Sequence, residues 1–113
     1  FKTWVESLDS DKFFIDFHQN GNSNFALPLV LKEKDLELFE RCCILLNNEK
    51  VEYRIGTAGG GNQARQPYLD KYDFVKHDLS NVDHIHDFGL YIGNHPELVE
   101  KDIINLCEEL NRL

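Results

Sequence analysis

Val51-Glu52-Tyr53-Arg54-Ile55 alternates apolar and charged residues and runs straight into the glycine-rich stretch from Gly56 to Pro67. Alternation with period two predicts a half-buried strand, with Val51, Tyr53 and Ile55 on one face and Glu52 and Arg54 on the other. Arg54 is thereby expected to project away from a helix-covered core. Four of the seven glycines and two of the four arginines fall between Tyr53 and Pro67. Glycines let backbone N–H groups approach a ligand closely. A guanidinium fork matches phosphate or carboxylate, and an asparagine amide both donates and accepts. The segment points to a polar, anionic ligand.

The rest of the chain supplies a scaffold for this loop. Residues 1 to 9 read as a helix, broken at Asp9-Ser10-Asp11 before the apolar run Phe13-Phe14-Ile15. A turn at Asn20-Gly21-Asn22-Ser23 precedes a strand over Phe25–Leu31, in which Pro28 cannot donate to a ladder and so predicts an edge or a bulge. From Asp35 to Asn48, Leu36, Phe39, Cys43 and Leu46 recur at helical spacing, with Asp35 and Glu37 at the positive end of the dipole. Ser80-Asn81-Val82-Asp83 has capping-box spacing and predicts a short helix to about Asp87, stopped by Gly89. Leu90-Tyr91-Ile92 reads as a further strand, and Ile103, Cys107 and Leu110 mark the stripe of a final helix. The expected fold class is α/β (α+β two-layer): a small, mostly antiparallel sheet with helices packed on one face.

At 113 residues the chain is one domain by length. Twelve basic against 20 acidic residues give a formal charge of −8, which repels a phosphodiester backbone, so no nucleic acid partner is expected. No apolar run approaches the roughly 20 residues of a membrane helix, and nothing resembles a secretory signal. No membrane partner and a cytoplasmic location are expected. With no methionine and an opening at Phe1-Lys2-Thr3-Trp4, the chain reads as an excised piece of a longer protein. Cys42, Cys43 and Cys107 are odd in number and lack CxxC spacing, so they read as small apolar core residues. Trp4, Phe13, Phe14 and Phe17 read as core or domain-interface aromatics rather than a platform for bases.

Other motifs compete for the same residues. Gly59-Gly60-Gly61-Asn62-Gln63-Ala64 formally fits a dinucleotide fingerprint, but Pro67 interrupts the helix such a site needs and no βαβ unit follows. No Gly-Lys-Ser/Thr is present, which excludes a P-loop. Asp83, His84, His86, Asp87 and His95 suit zinc or iron by chemistry. His84 and His86, two residues apart on a helix, point to nearly opposite sides. The expectation is therefore no metal, with one histidine capping or packing and the other solvated. Arg54 has a blander alternative as well, an exposed pair with Glu52.

Taken together, Val51-Glu52-Tyr53-Arg54, the Gly-Asn-x-x-Arg-Gln-Pro run from Gly61 to Pro67, and Ile85-His86-Asp87-Phe88-Gly89-Leu90-Tyr91-Ile92-Gly93-Asn94-His95 resemble one family's C-terminal domain. That family is the DegT/DnrJ/StrS-type nucleotide-sugar aminotransferases and their dehydratase relatives, which depend on pyridoxal phosphate and have the aspartate-aminotransferase fold. The resemblance covers nearly the whole chain and is closest to the branch acting on nucleotide-linked 4-keto-6-deoxy sugars in polysaccharide biosynthesis. It implies that residues 1–113 are the single C-terminal small domain of a longer enzyme whose large cofactor domain lies upstream. It further implies pyridoxal phosphate in a homodimeric parent, on a lysine in transaminases or beside a histidine in 3-dehydratases, and not on this chain alone. The isolated chain is then expected to be inactive. Carried over residue by residue, Arg54, Gly61, Asn62, Arg65 and His95 are the implied substrate-binding positions, and no catalytic residue falls here. Val99 stands where relatives open the last helix with Thr or Ser, and Gly59-Gly60-Gly61 is richer in glycine than the family loop requires. A free-standing, non-catalytic domain binding a nucleotide sugar or a protein remains the alternative.

Overall fold

A computed structural model describes residues 1–56, 61–73 and 77–113; Gly59 and Gly60 of the glycine run lie outside the described residues. The elements run α1 (Lys2–Ser7), β1 (Ala26–Val30), α2 (Leu36–Asn48), β2 (Tyr53–Ile55), α3 (Ser80–Phe88), β3 (Gly89–Gly93) and α4 (Glu100–Asn111). Two single 3-10 turns, Gln63–Arg65 and Pro67–Leu69, lie between β2 and α3. The three strands form one antiparallel sheet in the order β1-β3-β2. The expected α+β fold with a small antiparallel sheet is what the chain adopts.

Register divides the sheet into two faces. Leu27, Ile92 and Tyr53 lie across from one another, as do Leu29, Leu90 and Ile55, while Pro28, Tyr91 and Arg54 form the row between them. Alternate residues point to opposite faces, and the first two rows supply the buried Leu27, Leu29, Leu90 and Ile92 of the core. Trp4 and Val5 of α1, Cys42 and Leu46 of α2, and Cys107 and Leu110 of α4, with Leu8, Phe13 and Leu31, complete that core. Arg54 is therefore on the face away from the core, as its alternation requires.

Pro28 does sit on an edge strand, and that edge is closed by local means. Trp4 Nε1 donates to the Pro28 carbonyl at 2.7 Å. Phe14 N donates to Val30 O at 2.9 Å beside an isolated bridge between Phe13 and Leu31. At the other end of the chain α4 packs on α1, where Asn111 Nδ2 donates to Ser7 O and Asp9 N donates to Asn111 Oδ1, both at 2.8 Å.

Several local expectations are corrected. Leu36, placed in the buried stripe of α2, is 59% exposed, because it stands in the first turn just after the N-cap; Leu46 is buried as expected, and Cys42 joins it. Asp35 is that cap, accepting from Leu38 N at 2.9 Å. Helix α3 has no capping box: its N-cap is Leu79, and Asp78 Oδ1 accepts from Ser80 N at 3.0 Å. Asp83 is thus released for a different partner. Ile55, assigned to the buried face, is half exposed, since β2 is a three-residue edge strand at the rim of the core. Phe14 is likewise half exposed, whereas Trp4 and Phe13 are buried. Val99 caps α4 without a side-chain hydrogen bond.

Candidate functional site

The five sequence-selected residues fall into two places. Arg54 and His95 come together along one groove of about 850 Å³, whose walls include Tyr91, Leu98, Asp102 and Leu106. Arg54 comes from β2, and His95 follows the end of β3. The Gly93-Asn94-His95 turn is tied to β1, because Asn94 Nδ2 donates to Asn24 O at 2.7 Å and Asn94 N donates to Phe25 O at 2.9 Å. The His95 ring folds back over Gly93: a Cβ there would lie 2.8 Å from Nε2. Among the described residues Arg54 makes no ion pair, so the pairing with Glu52 does not form.

Gly61, Asn62 and Arg65 are gathered instead against α3. Asn62 is buried, at 4% exposure the one buried polar residue among those described. Its backbone N–H donates to His86 Nδ1 at 3.1 Å, its Nδ2 donates to Asp83 Oδ1 at 2.8 Å, and its Oδ1 accepts from Ala64 N at 2.9 Å. Both the oxygen and the nitrogen of the side-chain amide therefore have a partner within the chain. Arg65 reaches Asp87 with both terminal nitrogens, Nη1 to Oδ2 and Nη2 to Oδ1, each at 2.9 Å. Its Nη1 also lies 3.4 Å from Asp83 Oδ1. The Arg65 fork holds the Asp87 carboxyl below its ordinary range, and Asp87 in turn raises the guanidinium.

Glycine is required at Gly56 and Gly61, where the backbone passes close to His86. Gly61 has φ +104, and a Cβ there would lie 2.7 Å from His86 Nδ1 and 2.8 Å from the Gly56 Cα. A Cβ on Gly56 would meet His86 O at 2.8 Å. The two glycines therefore pack against each other and against one imidazole.

Both helical histidines are engaged, which corrects the expectation that one is solvated. His84 Nε2 lies 2.6 Å from Leu31 O, and its ring packs on Phe88 with centroids 5.3 Å apart. His86 supports the loop from the other side, as the opposed directions of the pair require. Among the described residues no three His, Cys, Asp or Glu side chains converge as metal ligands. Sequence reasoning did not assign Asp83, His86 and Asp87 to the loop. Their i, i+3, i+4 spacing, which puts all three on one helical face, is the signal that identifies them.

A pyridine phosphate needs a lysine or a histidine, an anion cradle and a partner for the ring in one place, and no described lysine joins such a set through a hydrogen bond or ion pair. Lys2 pairs with Glu6 and Lys12 with Asp9, while Lys50 stands at the exposed rim of the groove. No helix among the described residues is long and apolar enough to cross a membrane.

No protein-family model and no curated protein matches the sequence. Solved structures do match the fold. One is a GDP-4-keto-6-deoxymannose-3-dehydratase with a trapped PLP-glutamate geminal diamine, at TM-score 0.76 and 21% identity over 96% of this chain and 28% of that chain. Another is the E. coli GDP-4-keto-6-deoxy-D-mannose-3-dehydratase with bound hydrated PLP, at TM-score 0.74 and 20% identity over 96% of this chain and 28% of that chain. This chain thus spans little more than a quarter of the length of the proteins it matches, and what it shares with them is the fold.

Proposed function

We propose that the chain is the substrate-binding small domain of a pyridoxal-phosphate-dependent aminotransferase or 3-dehydratase acting on a nucleotide-linked 4-keto-6-deoxy sugar. The observation that carries this reading is the fold likeness to the GDP-4-keto-6-deoxymannose-3-dehydratase over 96% of the chain. The parent enzyme is proposed to be a cytoplasmic homodimer of the DegT/DnrJ/StrS type, with its large cofactor domain on the same polypeptide. The cofactor would supply an electron sink for chemistry next to the sugar's keto carbon. The residues described here do not hold it by themselves, and their part is to bind and orient the substrate.

Arg54 is the best-placed direct contact, an exposed guanidinium without a carboxylate partner among the described residues, able to pair with a diphosphate oxygen through two N–H groups. His95 shares its groove and offers the sugar hydroxyls an imidazole donor or acceptor. The loop of Gly61, Asn62 and Arg65 is proposed as the second substrate-facing element.

Calorimetric titration of the full-length protein with nucleoside-diphosphate sugars tests the reading. Binding by the wild type, weakened roughly tenfold or more in Arg54→Ala, is expected. Failure of the wild type to bind any nucleotide sugar would overturn the proposal, and unaltered affinity in Arg54→Ala would remove Arg54 from it. Sequencing the native transcript upstream of Phe1 separates the two reactions, since a lysine at the cofactor position marks an aminotransferase and a histidine a dehydratase. A stop codon close upstream would favour the free-standing binding domain.

A further inference from the structure

We infer that Asp83 and Asp87 of α3, together with His86, are positioning residues that hold the Gly61–Arg65 loop in its ligand-facing form, with Arg65 as the tether they grip rather than the group that receives the anion. The inference rests on the nucleotide-sugar reading above and assigns the loop's arginine a different task from that of Arg54.

Charge decides between the two arginines. Arg65 has both terminal nitrogens committed to Asp87 in a fork-to-fork pair, with Asp83 as a second acceptor. The depression beside it is also walled by Asp78. One guanidinium faces three carboxylates there, and its terminal nitrogens are taken before any anion arrives. Arg54 has no such partner among the described residues and lines the groove shared with His95.

Geometry gives α3 the holding role. Asp83, His86 and Asp87 stand on one face of the helix, and each takes a different part of the loop. His86 accepts from the Asn62 backbone, Asp83 accepts from the Asn62 side chain, and Asp87 binds Arg65. The loop is therefore hung by both ends of its first 3-10 turn, at Asn62 and Arg65, from a single helix that continues directly into β3.

The test uses the full-length protein and its Asp87→Asn and Asp83→Asn variants, with GDP as the probe and hydrogen exchange at the Asn62 and Ala64 amides as a second readout. If α3 positions the loop, both variants exchange faster at those amides, by roughly threefold or more, and bind GDP more weakly. Asp87→Glu, which keeps the charge, recovers part of both losses. If Arg65 is instead an anion ligand restrained by its carboxylates, Asp87→Asn releases it and tightens GDP binding, a change of opposite sign that overturns the inference. Unchanged loop exchange also overturns it, as does acceleration spread evenly over the sheet and helices, which marks a general loss of stability. Should the wild type bind no GDP, the nucleotide-sugar reading fails on its own account, and faster or unchanged loop exchange still decides the positioning role.

Discussion

The buried side-chain amide of Asn62 donates to Asp83 Oδ1 at 2.8 Å while its carbonyl oxygen accepts from Ala64 N at 2.9 Å, so one residue both caps the first 3-10 turn of the loop and fastens it to α3. Asn62→Ala strips the cap from the turn and leaves Asp83 short of a donor. The expected cost is about 1–2 kcal/mol of unfolding free energy. Asn62→Asp keeps the acceptor for Ala64 but sets a second carboxylate against Asp83, and is expected to be worse than alanine near neutral pH. Urea unfolding of both variants checks the order; an aspartate variant as stable as wild type would mean the amide donor contributes nothing.

Gly61→Ala is expected to destabilise on two separate grounds. Its φ of +104 strains any side-chain-bearing residue, and its Cβ would lie 2.7 Å from His86 Nδ1. The backbone part alone is worth roughly 1–3 kcal/mol. Combining it with His86→Ala removes the contact with the imidazole but neither the strain nor the 2.8 Å approach to the Gly56 Cα. A double-mutant cycle should therefore show positive coupling, with the pair less destabilised than the sum of the single variants. Strict additivity would mean the imidazole yields without cost.

The fold was legible where a single local signal sufficed. Alternation placed Arg54 on the outer face, Pro28 marked an edge strand, and Asp35 announced the start of α2. The errors arose where tertiary contact overrides a local pattern. Ser80 and Asp83 have the spacing of a capping box, yet Asp83 gains more from a buried amide and a guanidinium than from one helical N–H. Ile55 alternates correctly but sits in a three-residue edge strand, where it stays half exposed. The grouping of Asn62 and Arg65 with α3, separate from Arg54 and His95, depends on how the chain returns after the loop. No periodicity records that return.

The three cysteines yield a test of the core. Burial pushes the Cys42 and Cys107 thiols up to about 12, and it raises Cys43 as well. A thiolate is the reactive form, so a folded chain near pH 8 should take up maleimide very slowly. In denaturant all three cysteines should label quickly. Intact-mass measurement over time distinguishes the cases. Rapid native labelling at Cys107 would show that α4 does not stay packed on α1.

Acid should loosen the grip of α3 on the loop with a sign that the carboxylates fix. Arg65 lowers the Asp87 carboxyl from the ordinary value of 3.8, first through its hydrogen bond and then through its charge. The unfolded chain therefore binds this proton more readily than the folded one. The contribution of the pair is fully present above about 3.8 and is lost as pH falls through the lower folded value. Both partners are largely exposed, so solvent screens the pair and the effect on global stability is small. The local effect is the better readout. The ratio of Ala64 amide exchange rates between Asp87→Asn and wild type, compared at each pH, should hold steady through neutral pH and fall towards one below about 3.8. If the ratio stays undiminished at about pH 2, protonation does not release Arg65 and the tether is held by Asp83 and Asn62 without the Asp87 charge.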